Sequence, residues 1–147
     1  MDDATLAMSV ARGRIALGVA AAVAPGLATR VMGGRRDPKG VAPLFARMLG
    51  ARDVALGMGT VIALDRGKPV RGWLEGSALA DTVDCVACIR ARDDKAPAVL
   101  GAAAGLGAAS AILGIYLSRR LDPPPPAHPG QPEAVATGHS PESAAQQ

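Results

Sequence analysis

The chain has 147 residues and a formal net charge of +3, with 49% hydrophobic, 20% charged and 2% aromatic residues. Alanine (31) and glycine (18) fill a third of it, and three aromatics are too few to anchor an ordinary water-soluble core, since aromatics supply the largest buried areas. The glycines lack a period of three, which excludes collagen. The apolar content excludes a wholly disordered chain, and a scattered basic excess without aromatics argues against a nucleic-acid partner.

What remains is a small-residue-rich helical protein, and a mean hydropathy of +0.20 directs it toward the bilayer. The pattern predicts an all-α fold: a bundle of four transmembrane helices at about 5–31, 43–64, 70–92 and 96–118 within a membrane domain 1–121. The first segment has fifteen uncharged residues between Arg14 and Arg30. That is short for a span of about 20 residues, but flanking arginines snorkel and extend it. Pro25 is expected to kink it near its end. Ala22-Val23-Ala24 resembles a signal cleavage site, yet Asp2 and Asp3 make the leading region partly acidic and Pro25 would follow the cut, so the segment reads as an uncleaved helix. The Gly33–Gly40 stretch is a break, and the second segment starts at Pro43, which suits a first helical turn. Asp65-Arg66-Gly67-Lys68-Pro69 ends it. The third segment carries Glu75, Asp81 and Asp84 among small apolar residues. The fourth, Ala96 to Ser118, is uncharged throughout and offers Gly101-x-x-x-Gly105 as a surface for close helix contact. From Asp122 the composition turns to Pro, Gly, Ser and Gln, predicting a disordered proline-rich tail over 122–147.

In an up-down arrangement Trp73 and Tyr116 share one membrane face as interface anchors and Phe45 takes the other. Apart from Arg47 and Arg52 within the second segment, the Lys and Arg residues divide seven against seven between the two faces. If Arg12 and Arg14 lie within the helix, the remaining bias makes the first and third loops cytoplasmic.

Charges inside the second and third segments carry the most information. Each charge at a helix centre costs about 2.5–3.5 kcal/mol on the insertion scale, against about 0.3–0.6 kcal/mol gained per apolar residue. Neither helix is stable with lipid on every side, so its charges must pair inside the bundle. Arg14, Arg47, Arg52, Asp53, Asp81 and Asp84 are the candidate network. Trp73, Ser77, Asp81, Asp84 and Cys88 fall on one helical stripe. Counting Arg12 and Glu75, four bases face four acids, and Arg52 is expected to pair with Asp81 or Asp84. Such a network either fixes the bundle or serves a proton, ion or solute.

Cys85-x-x-Cys88 lies late in an apolar helix with no strand before it, unlike a thioredoxin-type pair, and reads first as small apolar filler. Redox exchange is the sharper reading, though the second cysteine pair of quinone-linked thiol enzymes is missing. Both histidines, His128 and His139, fall in the tail, so no metal set is expected. No nucleotide-binding or nucleophile motif is found, and no cofactor is expected.

Arg47-x-x-Gly50-x-Arg52-Asp53-x-x-x-Gly57, followed by Trp73, Gly76, Asp81 and Asp84, resembles a family of small four-helix integral membrane proteins of high-GC bacteria, classed as a domain of unknown function. The resemblance spans roughly residues 8 to 118. It implies membrane residence and four helices, and no activity. The architecture is also similar to DoxX-type proteins by analogy alone. The expectation is a multi-pass cell-membrane protein without catalytic activity, acting through lipid or through a partner, a second copy or another membrane protein. The alternatives are a small proton- or solute-coupled carrier using the same charges and a redox-linked subunit using Cys85 and Cys88.

Overall fold

A computed structural model describes residues 2–31, 41–91 and 97–122. Every element in them is a helix: α1 (Asp3–Val23), α2 (Pro25–Val31), α3 (Val41–Asp65), α4 (Arg71–Ala91) and α5 (Pro97–Leu121). Apart from Asp122, the expected tail falls outside the described residues.

Local chemistry explains the boundaries. Asp2 caps α1: its carboxylate accepts the Thr5 amide at 2.7 Å and the Thr5 hydroxyl at 3.1 Å, satisfying a donor that the first turn leaves free. The single helix expected over 5–31 is divided in two. At Ala24 the backbone leaves helical geometry (φ −119°, ψ 56°), and Pro25, which lacks an N–H, opens α2. The α3 terminus is a Schellman motif. The Lys68 N–H donates to the Ala63 carbonyl (2.8 Å) and the Gly67 N–H to that of Leu64 (3.1 Å). Gly67 sits at φ 58°, a conformation that favours glycine.

The start of α4 is capped from a distance. The Asp122 carboxylate accepts the backbone N–H groups of Val70 and Arg71, the latter at 2.6 Å. The end of α5 is thereby fastened to the positive end of the α4 dipole.

The long helices form two hairpins, α1 with α3 and α4 with α5, which touch each other less extensively. Each hairpin closes on glycines seven residues apart. A Cβ at Gly50 would lie 2.9 Å from the Ala22 amide nitrogen, and one at Gly57 would lie 2.8 Å from the Ala11 carbonyl. In the second hairpin a Cβ at Gly107 would lie 3.0 Å from the Asp81 carbonyl, and one at Gly114 would lie 3.2 Å from that of Leu74. The expected Gly101-x-x-x-Gly105 contact surface is not used, since both positions face open space. The helices meet two positions further along, where Gly107 looks across at α4.

A compact apolar cluster of Ala7, Ala63, Val70, Leu74 and Leu117 closes one end of the molecule. Arg120 reaches Asp3 at 3.1 Å at the same end and lies over the Tyr116 ring. Outward-facing side chains are strongly apolar: Val23, Val41, Leu79 and Ile112 are each about two-thirds or more exposed. Helices α1 and α5 are long and apolar enough to cross a membrane, and most of each faces outward.

Two expectations follow. Replacing Gly107 with Ala presses a methyl against backbone and lowers the thermal stability of the protein by about 1–3 kcal/mol. Gly105→Ala, in open space, is neutral or stabilising by up to about 1 kcal/mol. Equal effects at the two sites contradict the hairpin geometry. The two hydrogen bonds from Thr5, backbone first and hydroxyl second, hold the Asp2 carboxyl below its ordinary value of 3.8. The cap therefore holds at every pH above that value and is lost as pH falls through the lowered one. The Thr5 amide resonance titrates with a midpoint below 3.8, and Asp2→Ala abolishes that titration.

Candidate functional site

Where the two hairpins face each other, their charged residues form one connected chain. Arg14 joins α1 to α3 and α4. Its guanidinium donates to Asp53 Oδ1 on α3 at 3.0 Å and to Asp81 Oδ2 on α4. Ser110 on α5 donates to the same Asp81 oxygen at 2.6 Å. Arg52 on α3 grips Asp84 on α4 through both carboxylate oxygens, at 2.7 and 3.2 Å, and also donates to Asp53 Oδ1 at 3.1 Å. The order is Asp81–Arg14–Asp53–Arg52–Asp84, with opposite charges alternating.

The helical period produces this arrangement. Asp81 and Asp84, three residues apart, share a face of α4. Arg52 and Asp53 are adjacent, so one turns toward Asp84 and the other toward Arg14. Burial is greatest at the Asp81–Arg14 end: those side chains are 11% and 10% exposed, against 30% for Arg52 and 39% for Asp84.

Of the expected network, Arg14, Arg52, Asp53, Asp81 and Asp84 come together. Arg47 does not join it. It is exposed and makes no ion pair among the described residues. Five residues before Arg52, it points about 140° away around α3. Arg12 is also exposed, and Glu75 pairs along its own helix with Arg71 at 2.7 Å. The expected balance of four against four is therefore replaced by two guanidiniums against three carboxylates.

Ser110 was not among the expected residues. The signal for it is a serine within the uncharged 96–118 stretch, well before the Tyr116 and Ser118 hydroxyls at its end. Asp122 was read as the first residue of the tail, and its capping role depends on a partner 51 residues away.

Trp73 lies in the first turn of α4 against Gly59 of α3, and Tyr116 lies near the end of α5; each is partly exposed. Both belong to the closed end, while Phe45 is exposed near the start of α3. Cys85 and Cys88 are free thiols. Cys85 packs near Gly107, and Cys88 lines the space between the hairpins. No group of side chains suited to a metal occurs among the described residues.

Two spaces adjoin the charges. A cavity of about 20 Å³, room for one water, borders Arg14, Thr60, Ser77, Asp81 and Ser110. A cleft of about 490 Å³ lies between the hairpins on the side away from the closed end. Its walls include Leu17, Leu49, Leu106 and Ala103, and Asp53, Asp81 and Asp84 also line it.

Comparison with protein-family models, with curated proteins and with solved structures gave no match.

Removing one member of a buried ion pair costs about 3–5 kcal/mol, because the other charge is left uncompensated. Arg14→Ala is expected to lower stability in detergent by about that amount, Arg52→Ala by less, and Arg47→Ala not measurably. Thermal unfolding of the three variants tests the order. A loss at Arg47 equal to that at Arg14 contradicts the network.

Proposed function

We propose that the chain is a multi-pass integral membrane protein of the cell membrane. All four long helices cross the bilayer, and the arginine–aspartate network fixes how the two hairpins seat together. The observation that carries this reading is the inversion of the usual pattern of burial. Large apolar side chains cover the outside of all four long helices, while Asp81 is buried between them and pairs there with Arg14, whose side chain is only 10% exposed. Soluble monomers seldom expose contiguous apolar patches beyond a few hundred Å². Intramembrane charges face a bundle interior and pair with one another.

Helices α3 and α4 carry too many charges to cross alone, and pairing removes that obstacle for Arg52, Asp53, Asp81 and Asp84. Arg47 is six residues from the start of α3, about 9 Å at 1.5 Å per residue, within reach of the interface by snorkelling. With Arg14 inside the bundle, the first and third loops hold the larger share of basic residues and lie on the cytoplasmic side. The reading places the chain with the small four-helix membrane proteins that its Arg47–Gly57 stretch resembles. The network acts as a structural element rather than a catalytic one, and function is exercised through lipid or through another membrane subunit. The cleft favours a second reading, a carrier or receptor for a small solute.

Fractionation of expressing cells followed by an alkaline wash tests the first reading. Retention in the membrane pellet is the expected outcome, and release into the wash overturns it. A single cysteine at Lys68, in a chain lacking Cys85 and Cys88, is expected to react with an impermeant maleimide from one side only, the side that also exposes the N-terminus.

A further inference from the structure

The charge count of the network and the cleft beside it bear on each other. Among the described residues three carboxylates face two guanidiniums, so the ionised cluster keeps one negative charge. It also keeps unused acceptors. Asp53 receives all its hydrogen bonds from Arg14 and Arg52 on Oδ1, and Asp81 receives those of Arg14 and Ser110 on Oδ2. Asp53 Oδ2 and Asp81 Oδ1 accept none from the described residues. Neither is sealed in the interior, since no enclosed side-chain oxygen there lacks a partner. Both residues line the cleft of about 490 Å³, whose other walls are mainly apolar.

That volume falls in the range of small-molecule sites, about 300–1,000 Å³, which pair apolar walls with a few convergent polar groups. A surplus negative charge in surroundings of low polarity is costly unless a positive charge meets it. Carboxylate oxygens are acceptors only, so the matching group is a donor. We propose that the cleft binds an amphiphilic organic cation, a protonated amine whose N–H groups donate to Asp53 Oδ2 and Asp81 Oδ1 while its apolar body lies along Leu17, Leu49 and Leu106. Arg14 also lines the cleft, but the two carboxylates it bridges offset its charge, and the described cluster as a whole stays one charge negative. The proposal rests on the membrane reading, which supplies the low-polarity surroundings.

The test uses the full chain in detergent and three probes of one shape: naphthylmethylammonium, naphthylmethanol and naphthylacetate. Calorimetric titration is expected to show the ammonium binding tighter than the alcohol by about tenfold or more, the effect of a charge-assisted hydrogen bond, and the acetate weakest. Asp53→Asn is expected to erase the preference for the ammonium. Ala103→Trp fills the cleft without touching an ion pair and is expected to abolish binding while leaving thermal stability intact, so the proposal stays testable if Asp53→Asn does not fold. Equal affinity for ammonium and alcohol means that a proton already neutralises the cluster and overturns the proposal, as does unchanged binding in Ala103→Trp. Either result in a protein that survives the alkaline wash counts against the cation site alone, whereas release in the wash counts against the membrane reading.

Discussion

The Arg14 guanidinium is the interaction on which the arrangement of the two hairpins depends. It is the best-shielded cation of the network and joins α1 to α3 through Asp53 and to α4 through Asp81. The first hairpin brings Arg14, Arg52 and Asp53 to the contact and the second brings Asp81, Asp84 and Ser110. One hairpin thus presents a net positive surface and the other a net negative one. Coulomb attraction strengthens as polarity falls, so this complementarity acts most strongly where water is excluded. It also sets register. Sliding α4 by one turn, about 5.4 Å, would break both the bidentate Arg52–Asp84 grip and the Arg14–Asp81 bond.

Packing and electrostatics divide the work. Within each hairpin the helices approach closely because glycine stands where a methyl group would strike the opposing backbone, as membrane helices commonly do. Between hairpins the direct packing is sparser, with a small apolar cluster at one end and the charges near the middle. The molecule is therefore closed firmly at the Trp73–Tyr116 end, where the Asp122 cap and the Arg120–Asp3 pair add to the cluster. Toward the other end the same pairs of helices leave the cleft between them.

The helical nature of the chain was legible because its breaks are chemical: Pro25, Gly67-Lys68-Pro69 and Pro97 stand at or beside helix ends. Asp81 and Asp84 were legible as a shared face because helical periodicity alone places them there, and Arg52 pairs with Asp84, one of the two partners its position allowed. Arg47 was misplaced because charge was counted without angle; five residues from Arg52 is the wrong side of a helix. The glycine contacts were illegible for a compositional reason. With so many glycines, a four-residue spacing arises by chance, and nothing local marks Gly107 and Gly114 as the pair that meets α4. Asp122 was illegible because its partners lie on another helix. The surplus carboxylate could be counted only after Arg12, Arg47 and Glu75 had been set aside, which required their side-chain directions.

Sequence distance within the network imposes an order in time. Arg14 precedes its partner Asp53 by 39 residues and Asp81 by 67. At a synthesis rate of about 5–20 residues per second, α1 emerges roughly 3–13 s before the residue that completes its neutralisation. Until Asp53 follows, about 2–8 s after Arg14 at that rate, α1 carries an arginine with no carboxylate to meet it. If all four long helices cross the bilayer, as proposed, full-depth insertion of α1 is coupled to the arrival of its partners, and biogenesis is a late, concerted assembly of four helices rather than their successive independent entry.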